Sequence, residues 1–255
     1  MTKNKFEGEL KFINPRYLVN ERQNERIESF FIGLGAVFND LKGLLFFEKM
    51  LMEYYEVPEE DETSPHAGNY FGIEVQIQKL ITSSVFEFFA FLKANNDVFS
   101  MSEFIEILNE LPRDEQVIWN NFIEAANERY SETTVLFNTM SKIRHNVGFH
   151  YDQKGKVLRN AYISFFYGKN IDNRHVYAYY SIGKNLELSR FYFSDAVIQE
   201  SMYIASGGKM KEINKNDESF KIYQQQVMET VKVMCLIILQ LMKEYIRSRR
   251  NSHRT

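Results

Sequence analysis

Apolar residues recur at alternating steps of four and three along three stretches of the chain, which is the spacing of an amphipathic α-helix. The first stretch, 24–55, carries Ile27, Phe31, Leu34, Phe38, Leu41 and Leu45. The last stretch, 217–250, carries Val227, Val231, Met234, Ile238, Leu241 and Tyr245. The third, 132–149, carries Leu136, Met140, Ile143 and Val147. We therefore predict long first and last helices around a shared core, with a shorter helix between them.

Further elements are predicted between these helices. A second long helix is expected over 72–94, after an acidic, proline-containing loop at 56–68. Shorter helices are expected near 102–111, 113–130, 156–167 and 194–205. The aromatic runs 175–182 and 188–193 predict a β-hairpin joined by 183–187. Its aromatic side chains are expected to pack on the helices, and stacking on exposed bases is the alternative.

The fold class that follows is mostly α, a single helical bundle over 1–255 with a small β-hairpin insertion at about 170–205. Only 12 glycines and 4 prolines occur, which is too few for a fold built from many short strands. Gly33 and Gly35 interrupt the first helix, where glycine costs roughly 1 kcal/mol. We expect them to permit close approach of a neighbouring helix.

Charge and cysteine content restrict the function classes. The net charge is −3, so any contact with nucleic acid must be local. The single cysteine, Cys235, excludes an intramolecular disulfide and fits a reducing compartment. The first 13 residues lack the apolar segment of a signal peptide, and the apolar run Val233–Met242 is about half of the roughly 20 residues that cross a bilayer. We expect a cytoplasmic protein with no membrane contact, no metal site and no cofactor.

The helix predicted at 132–149 ends in the sequence KIRHNVGFHYD, which places Arg144 six residues before His150. This resembles the R-x(4–6)-H signature of the HEPN superfamily. The resemblance implies a HEPN-like core at about 24–152 and 217–250 that acts as a metal-independent endoribonuclease, with Arg144 and His150 as catalytic residues. It also implies a homodimer, and a toxin–antitoxin, abortive-infection or antiviral defence role with an antitoxin or defence partner.

Guanidinium and imidazole groups suit RNA cleavage. An arginine can grip the phosphate in a bidentate manner and stabilise the charge that builds on its oxygens. A histidine can accept the proton of the 2′-OH or protonate the leaving oxygen. Asn146, four residues before His150, can set the imidazole tautomer, and His145 is a second polar neighbour. Asn39 and Asp40, which interrupt the first helix, are further candidate supporting residues.

The helical wheel separates the two predicted catalytic residues. At about 100° per residue, Arg144 lies about 120° around the helix from His150. Either the helix distorts at Gly148, or two subunits each contribute an arginine and a histidine. The second arrangement is our prediction.

Other interpretations of these residues remain open. Arg247 and His253 match the same spacing, so the motif alone discriminates poorly. His150 on an apolar stripe also suits a core histidine, and Arg144 also suits a cap of helix carbonyls. The alternative function is therefore a non-catalytic helical dimer, or an RNA- or nucleotide-binding protein. Near the C-terminus, Arg247, Arg249 and Arg250 either contact RNA phosphates or belong to a solvated tail.

Overall fold

The computed structural model describes residues 11–19, 26–56, 59, 64–127, 140–145, 156–167, 177–184, 189–205 and 218–252, with side chains of the last range given for 225–251. Most of these residues are helical, which confirms the mostly α class. In chain order the helices are α1 (Pro15–Leu18), α2 (Arg26–Tyr54), α3 (Pro65–Ala94), α4 (Ser102–Asn109), α5 (Arg113–Ala126), α6 (residues 140–145), α7 (Lys156–Tyr167), α8 (Tyr192–Ala205) and α9 (Glu218–Ser252). One 3₁₀ turn, Val98–Ser100, precedes α4.

The two long end helices pack against each other, and α2 also packs along α3. All six apolar stripe residues predicted for α9 are fully buried. An aromatic cluster joins α2 to α4 and α5 through Phe30, Phe104 and Trp119. The Tyr245 ring stacks on Phe31 at 4.0 Å, so burial of aromatic area holds the end helices together.

Gly33 brings α2 close to α3. A Cβ atom at this position would lie 2.7 Å from Cε2 of Phe91, closer than two carbon atoms can approach. The prediction of a close helix contact is therefore confirmed for Gly33. At Gly35 an added Cβ would make only an ordinary contact, 3.4 Å from the terminal methyl of Met242.

Helix α3 begins earlier than predicted, and residues 65–68, assigned to a loop, are helical. The reason is a complete N-terminal cap. Ser64 accepts a hydrogen bond from the backbone N–H of Ala67 at 3.1 Å, and Pro65 occupies the first turn, where its missing N–H costs nothing. The proline that suggested a loop is thus the start of the helix.

The predicted β-hairpin is reduced, among the described residues, to one antiparallel bridge between Ser181 and Arg190. Their two backbone N–H···O distances are 2.7 and 2.9 Å. The strand predicted over 188–193 is wrong at its end, because Tyr192 already starts α8. Residues 175, 176 and 185–188 lie outside the described residues. Helix α8 packs against α3 and α7.

Two helical stretches, Arg26–Tyr54 and Gln225–Asn251, are long and apolar enough to cross a membrane by length and composition alone. Core helices of water-soluble proteins pass the same test. The most apolar window of the first stretch is 22% buried and that of the second is 44% buried. Helix α2 therefore presents apolar side chains outside the core as well as inside it.

Candidate functional site

Arg144 lies on α6, which is anchored to the core by Met140 and Ile143, both fully buried. Because these two residues face the core, Arg144 and His145 lie nearer the protein surface. The Arg144 Nε donates a hydrogen bond to Oε1 of Glu87 on α3 at 2.8 Å, and its Nη2 donates to the same oxygen. The Arg144 side chain is 19% exposed and that of Glu87 is 50% exposed. Arg144 is therefore held in one orientation at the edge of solvent.

The aromatic ring of Phe86 supports the same guanidinium. The Arg144 Cζ lies 4.9 Å from the ring centroid, within the range of a cation–π contact. Glu87 engages only the Nε–Nη2 edge of Arg144, and the structure gives Nη1 no partner among the described residues. A planar guanidinium has a second edge for a bidentate anion. Arg144 can therefore bind a phosphate oxygen while Glu87 still holds it.

His145 has a defined tautomer. Its Nδ1 lies 2.7 Å from the backbone carbonyl oxygen of Ser141, and a carbonyl can only accept, so Nδ1 must carry the hydrogen. The other ring nitrogen, Nε2, belongs to an exposed side chain and has no hydrogen-bond partner among the described residues. The His145 ring also meets Phe86 edge to face, with centroids 5.6 Å apart. One phenylalanine thus positions both the arginine and the adjacent histidine.

The other residues of the predicted site are not brought together by the described structure. His150 and Asn146 lie outside the described residues. Asn39 and Asp40 lie on α2 and are exposed. Neither forms a hydrogen bond or ion pair with Arg144 in the part of the chain that the structure describes.

The C-terminal arginines make intramolecular contacts. Arg249 lies 3.6 Å from a carboxylate oxygen of Glu28 and 3.1 Å from one of Glu103, and its side chain is 15% exposed. Arg250 donates to the backbone oxygen of Phe12. Arg247 is 63% exposed, so it is the most accessible of the three for an RNA phosphate. Helix α9 extends to Ser252, so these arginines belong to a helix and not to a disordered tail, and Arg247 remains solvated.

The described parts of α6 and α7 are basic. The described parts of α6 and α7 contain no acidic residue, and they carry the basic side chains Lys142, Arg144, His145, Lys156 and Arg159, called here the α6–α7 basic surface. Lys142 and Asn160 line one cavity of about 380 Å³, which shows that the two helices are neighbours. In a chain of net charge −3, these side chains form a local concentration of positive charge.

Glu87 and Phe86 were not identified from the sequence. The available signal was the acid within the apolar run Val85–Phe89, because a charged residue at such a position usually has a partner. The partner is 57 positions away along the chain, on another helix, so periodicity alone cannot name it.

The chain matches no family model, and it has no significant match among curated proteins or solved structures. Within the described residues, no group of three or more His, Cys, Asp or Glu side chains is placed to hold a metal ion.

Proposed function

We propose that this protein is a metal-independent endoribonuclease of the HEPN type. The observation that supports the proposal is the pairing of Arg144 and His145 on the Phe86 ring. The arginine keeps one guanidinium edge available, and the Nε2 of the exposed histidine has no hydrogen-bond partner among the described residues. The α6–α7 basic surface supplies the local positive charge that an RNA backbone requires.

The proposed reaction uses the RNA's own 2′-OH as the nucleophile. Arg144 binds the scissile phosphate through its Nη1–Nη2 edge and stabilises the charge that builds on the non-bridging oxygens. A histidine accepts the 2′-OH proton, and the 2′-oxygen attacks phosphorus. The bond to the 5′-oxygen breaks, and that oxygen takes a proton from an imidazolium or water. The products are a 2′,3′-cyclic phosphate end and a 5′-OH end.

Two histidines are available for the proton transfers. His150 is the histidine of the sequence motif, and His145 is the one whose ring is oriented beside Arg144. Glu87 acts as a positioning residue, because it fixes the Arg144 guanidinium without blocking its second edge. We place the protein in the cytoplasm, where its role is that of a toxin or defence effector restrained by a partner.

The test is cleavage of single-stranded RNA in EDTA by wild type, Arg144→Ala, His145→Ala and His150→Ala. We expect Arg144→Ala to lose cleavage. Of the two histidine variants, the one that removes the proton-transfer residue should lose roughly 10²- to 10⁴-fold in cleavage rate. Glu87→Gln, which keeps a hydrogen-bond acceptor, should retain most of the activity. Arg113→Ala, which removes an exposed arginine from α5, is the matched control.

Circular dichroism and thermal melts must show that each variant is folded. Full cleavage by folded Arg144→Ala, or the loss of cleavage in EDTA with recovery on adding Mg²⁺, would contradict the proposal. An equal loss of cleavage in Arg113→Ala would show that cleavage depends on the overall positive charge of the protein and not on Arg144.

A non-catalytic helical dimer is the second candidate function, and the outer face of α2 favours it. This face exposes large apolar side chains that the core does not cover: Ile32, Phe46, Phe47, Met50 and Tyr54. Exposed apolar patches of this kind mark protein interfaces. Light scattering should give twice the monomer mass for wild type, and the monomer mass for Phe47→Glu. A dimer without RNA cleavage would favour this candidate over the nuclease.

A further inference from the structure

A second cavity, distant from Arg144, is lined by aromatic rings. It has a volume of about 290 Å³ and lies between the first half of α3, α7, α8 and residues 177–179. We call it the aromatic pocket, and its ring-bearing lining residues are Phe71, Phe165, Phe166, Tyr177, Tyr179, Tyr192 and Phe193. The polar side chains on its wall are those of Asp195 and Gln199.

Two glycines on one face of α3 fix the wall of this pocket. The bare backbone of Gly68 receives the ring of Tyr192, and that of Gly72 receives the guanidinium of Arg190, so a Cβ at either glycine would overlap its neighbour. Arg190 in turn donates from Nε to Asp195 Oδ2 at 2.8 Å, with both side chains under 20% exposed. The pocket is therefore built by specific contacts and does not depend on loose surface packing.

The lining favours a flat ring with polar edges. Asp195 uses one carboxylate oxygen for Arg190, and neither its other oxygen nor the exposed Gln199 amide has a hydrogen-bond partner among the described residues. Aromatic walls stack on any base, while a carboxylate and an amide can pair with the donors on a base edge. The volume suits one ring system, because sites for larger ligands run from about 300 to 1,000 Å³.

The position of the pocket relative to Arg144 favours a base carried on a strand. Gly72 and Glu87 are both on α3, about 22 Å apart at 1.5 Å per residue, and within about 60° of each other around the helix. The two positions thus lie on similar sides of α3. The basic side chain beside the pocket, Arg190, is engaged by Asp195, and no basic side chain is among the described lining residues, so the pocket offers little to the phosphates of a free nucleotide. A strand that reaches both sites needs about seven nucleotides at the roughly 3.4 Å spacing of a stacked strand, and fewer when it is extended.

We propose that the aromatic pocket binds one unpaired base of single-stranded RNA and so positions the strand for Arg144. This rests on the proposed function for its biological meaning, but the binding itself can be measured without cleavage. Tyr179 is the side chain to remove, because it lines the pocket and is 50% exposed, so that the fold does not depend on it. Its neighbour Tyr180 is 62% exposed, does not line the pocket, and is the matched control.

The experiment measures binding of a fluorescent, uncleavable 2′-O-methyl 12-mer to the full chain by anisotropy. Tyr179→Ala should weaken binding roughly 5- to 150-fold, the range for loss of one stacked base. Tyr179→Phe should bind like wild type because it keeps the ring, and so should Tyr180→Ala. On the 12-mer, the double variant Arg144→Ala/Tyr179→Ala should bind more weakly than either single variant. A trimer is too short to reach both sites, so with a trimer the double variant should lose no more affinity than the weaker-binding single variant.

Equal affinities for Tyr179→Ala and Tyr180→Ala would overturn the proposal. Adenosine or uridine binding as tightly as the 12-mer would also overturn it, because the pocket would then be a nucleoside site. Failure of the nuclease proposal has a different signature: no cleavage by wild type on natural RNA, with the Tyr179 effect on binding intact. Cleavage by wild type with no Tyr179 effect would reject the pocket alone.

Discussion

Removal of the Arg249 guanidinium should destabilise the fold far more than removal of a nearby exposed one. The Arg249 side chain is 15% exposed and faces Glu28, whose side chain is 4% exposed. Arg249→Met keeps the apolar stem but leaves the Glu28 carboxylate buried without this cation. Breaking a buried ion pair in this way costs about 3 kcal/mol or more in the free energy of unfolding. At 2–4 °C per kcal/mol for a chain of this size, the melting temperature should fall by about 6–12 °C.

The assay is differential scanning calorimetry at pH 7, with Arg247→Met as the matched control from the same helix. Arg247 is 63% exposed and pairs with Glu244 at 3.1 Å, so its loss should cost no more than about 1 kcal/mol. Adding Glu28→Gln to Arg249→Met should recover part of the loss, since the buried charge is then gone. Equal melting temperatures for the two arginine variants would refute this prediction, because Arg249 would then contribute no more to stability than an exposed arginine.

Three further changes test the packing and the buried groups. Gly43→Ala should stabilise the protein by about 1 kcal/mol, because an added Cβ meets nothing within 4 Å, whereas Gly33→Ala should destabilise it. Urea titration compares the free energies of unfolding, and an increase for both variants would contradict the contact between Gly33 and Phe91. Burial raises the pKa of Cys235 to about 11, so at pH 8 only about one thiol in a thousand is ionised, and a thiol reagent should react much more slowly with folded than with unfolded protein. Burial also raises the pKa of Glu200 above its unfolded value, so the stability it contributes is present at low pH and is lost as the pH rises through the folded pKa. Glu200→Gln should therefore raise the melting temperature more at pH 7 than at pH 4, and the reverse order would show that this carboxyl is not desolvated.

Helix positions followed from the sequence where one apolar stripe faces the core. Residues 24–55 and 217–250 were predicted as helices and are observed as Arg26–Tyr54 and Glu218–Ser252. The short helix predicted at 156–167 is observed as Lys156–Tyr167. The hairpin assignment failed at Tyr192 because aromatic residues favour strands by propensity, and here the ring packs on Gly68 of another helix. Such a tertiary contact overrides local preference.

The candidate site was predictable in part. Arg144 could be selected from its spacing and its place on an amphipathic helix. Its contacts with Glu87 and Phe86 depend on how α6 packs against α3, which no local pattern contains. The orientation of His145 toward the Ser141 carbonyl is a local, four-residue contact, and helical spacing could have suggested it. His150 and Asn146 lie outside the described residues, so their roles stay predictions.

The most direct measurement compares one RNA oligonucleotide with its all-deoxy copy, in EDTA, for wild type and Arg144→Ala, with the product ends identified by mass spectrometry. We predict that wild type cuts only the RNA and leaves a 2′,3′-cyclic phosphate, and that Arg144→Ala cuts neither strand. Intact RNA with folded wild type, or cleavage of the deoxy copy, would contradict the account of Arg144 as the phosphate-binding residue of a 2′-OH-dependent nuclease.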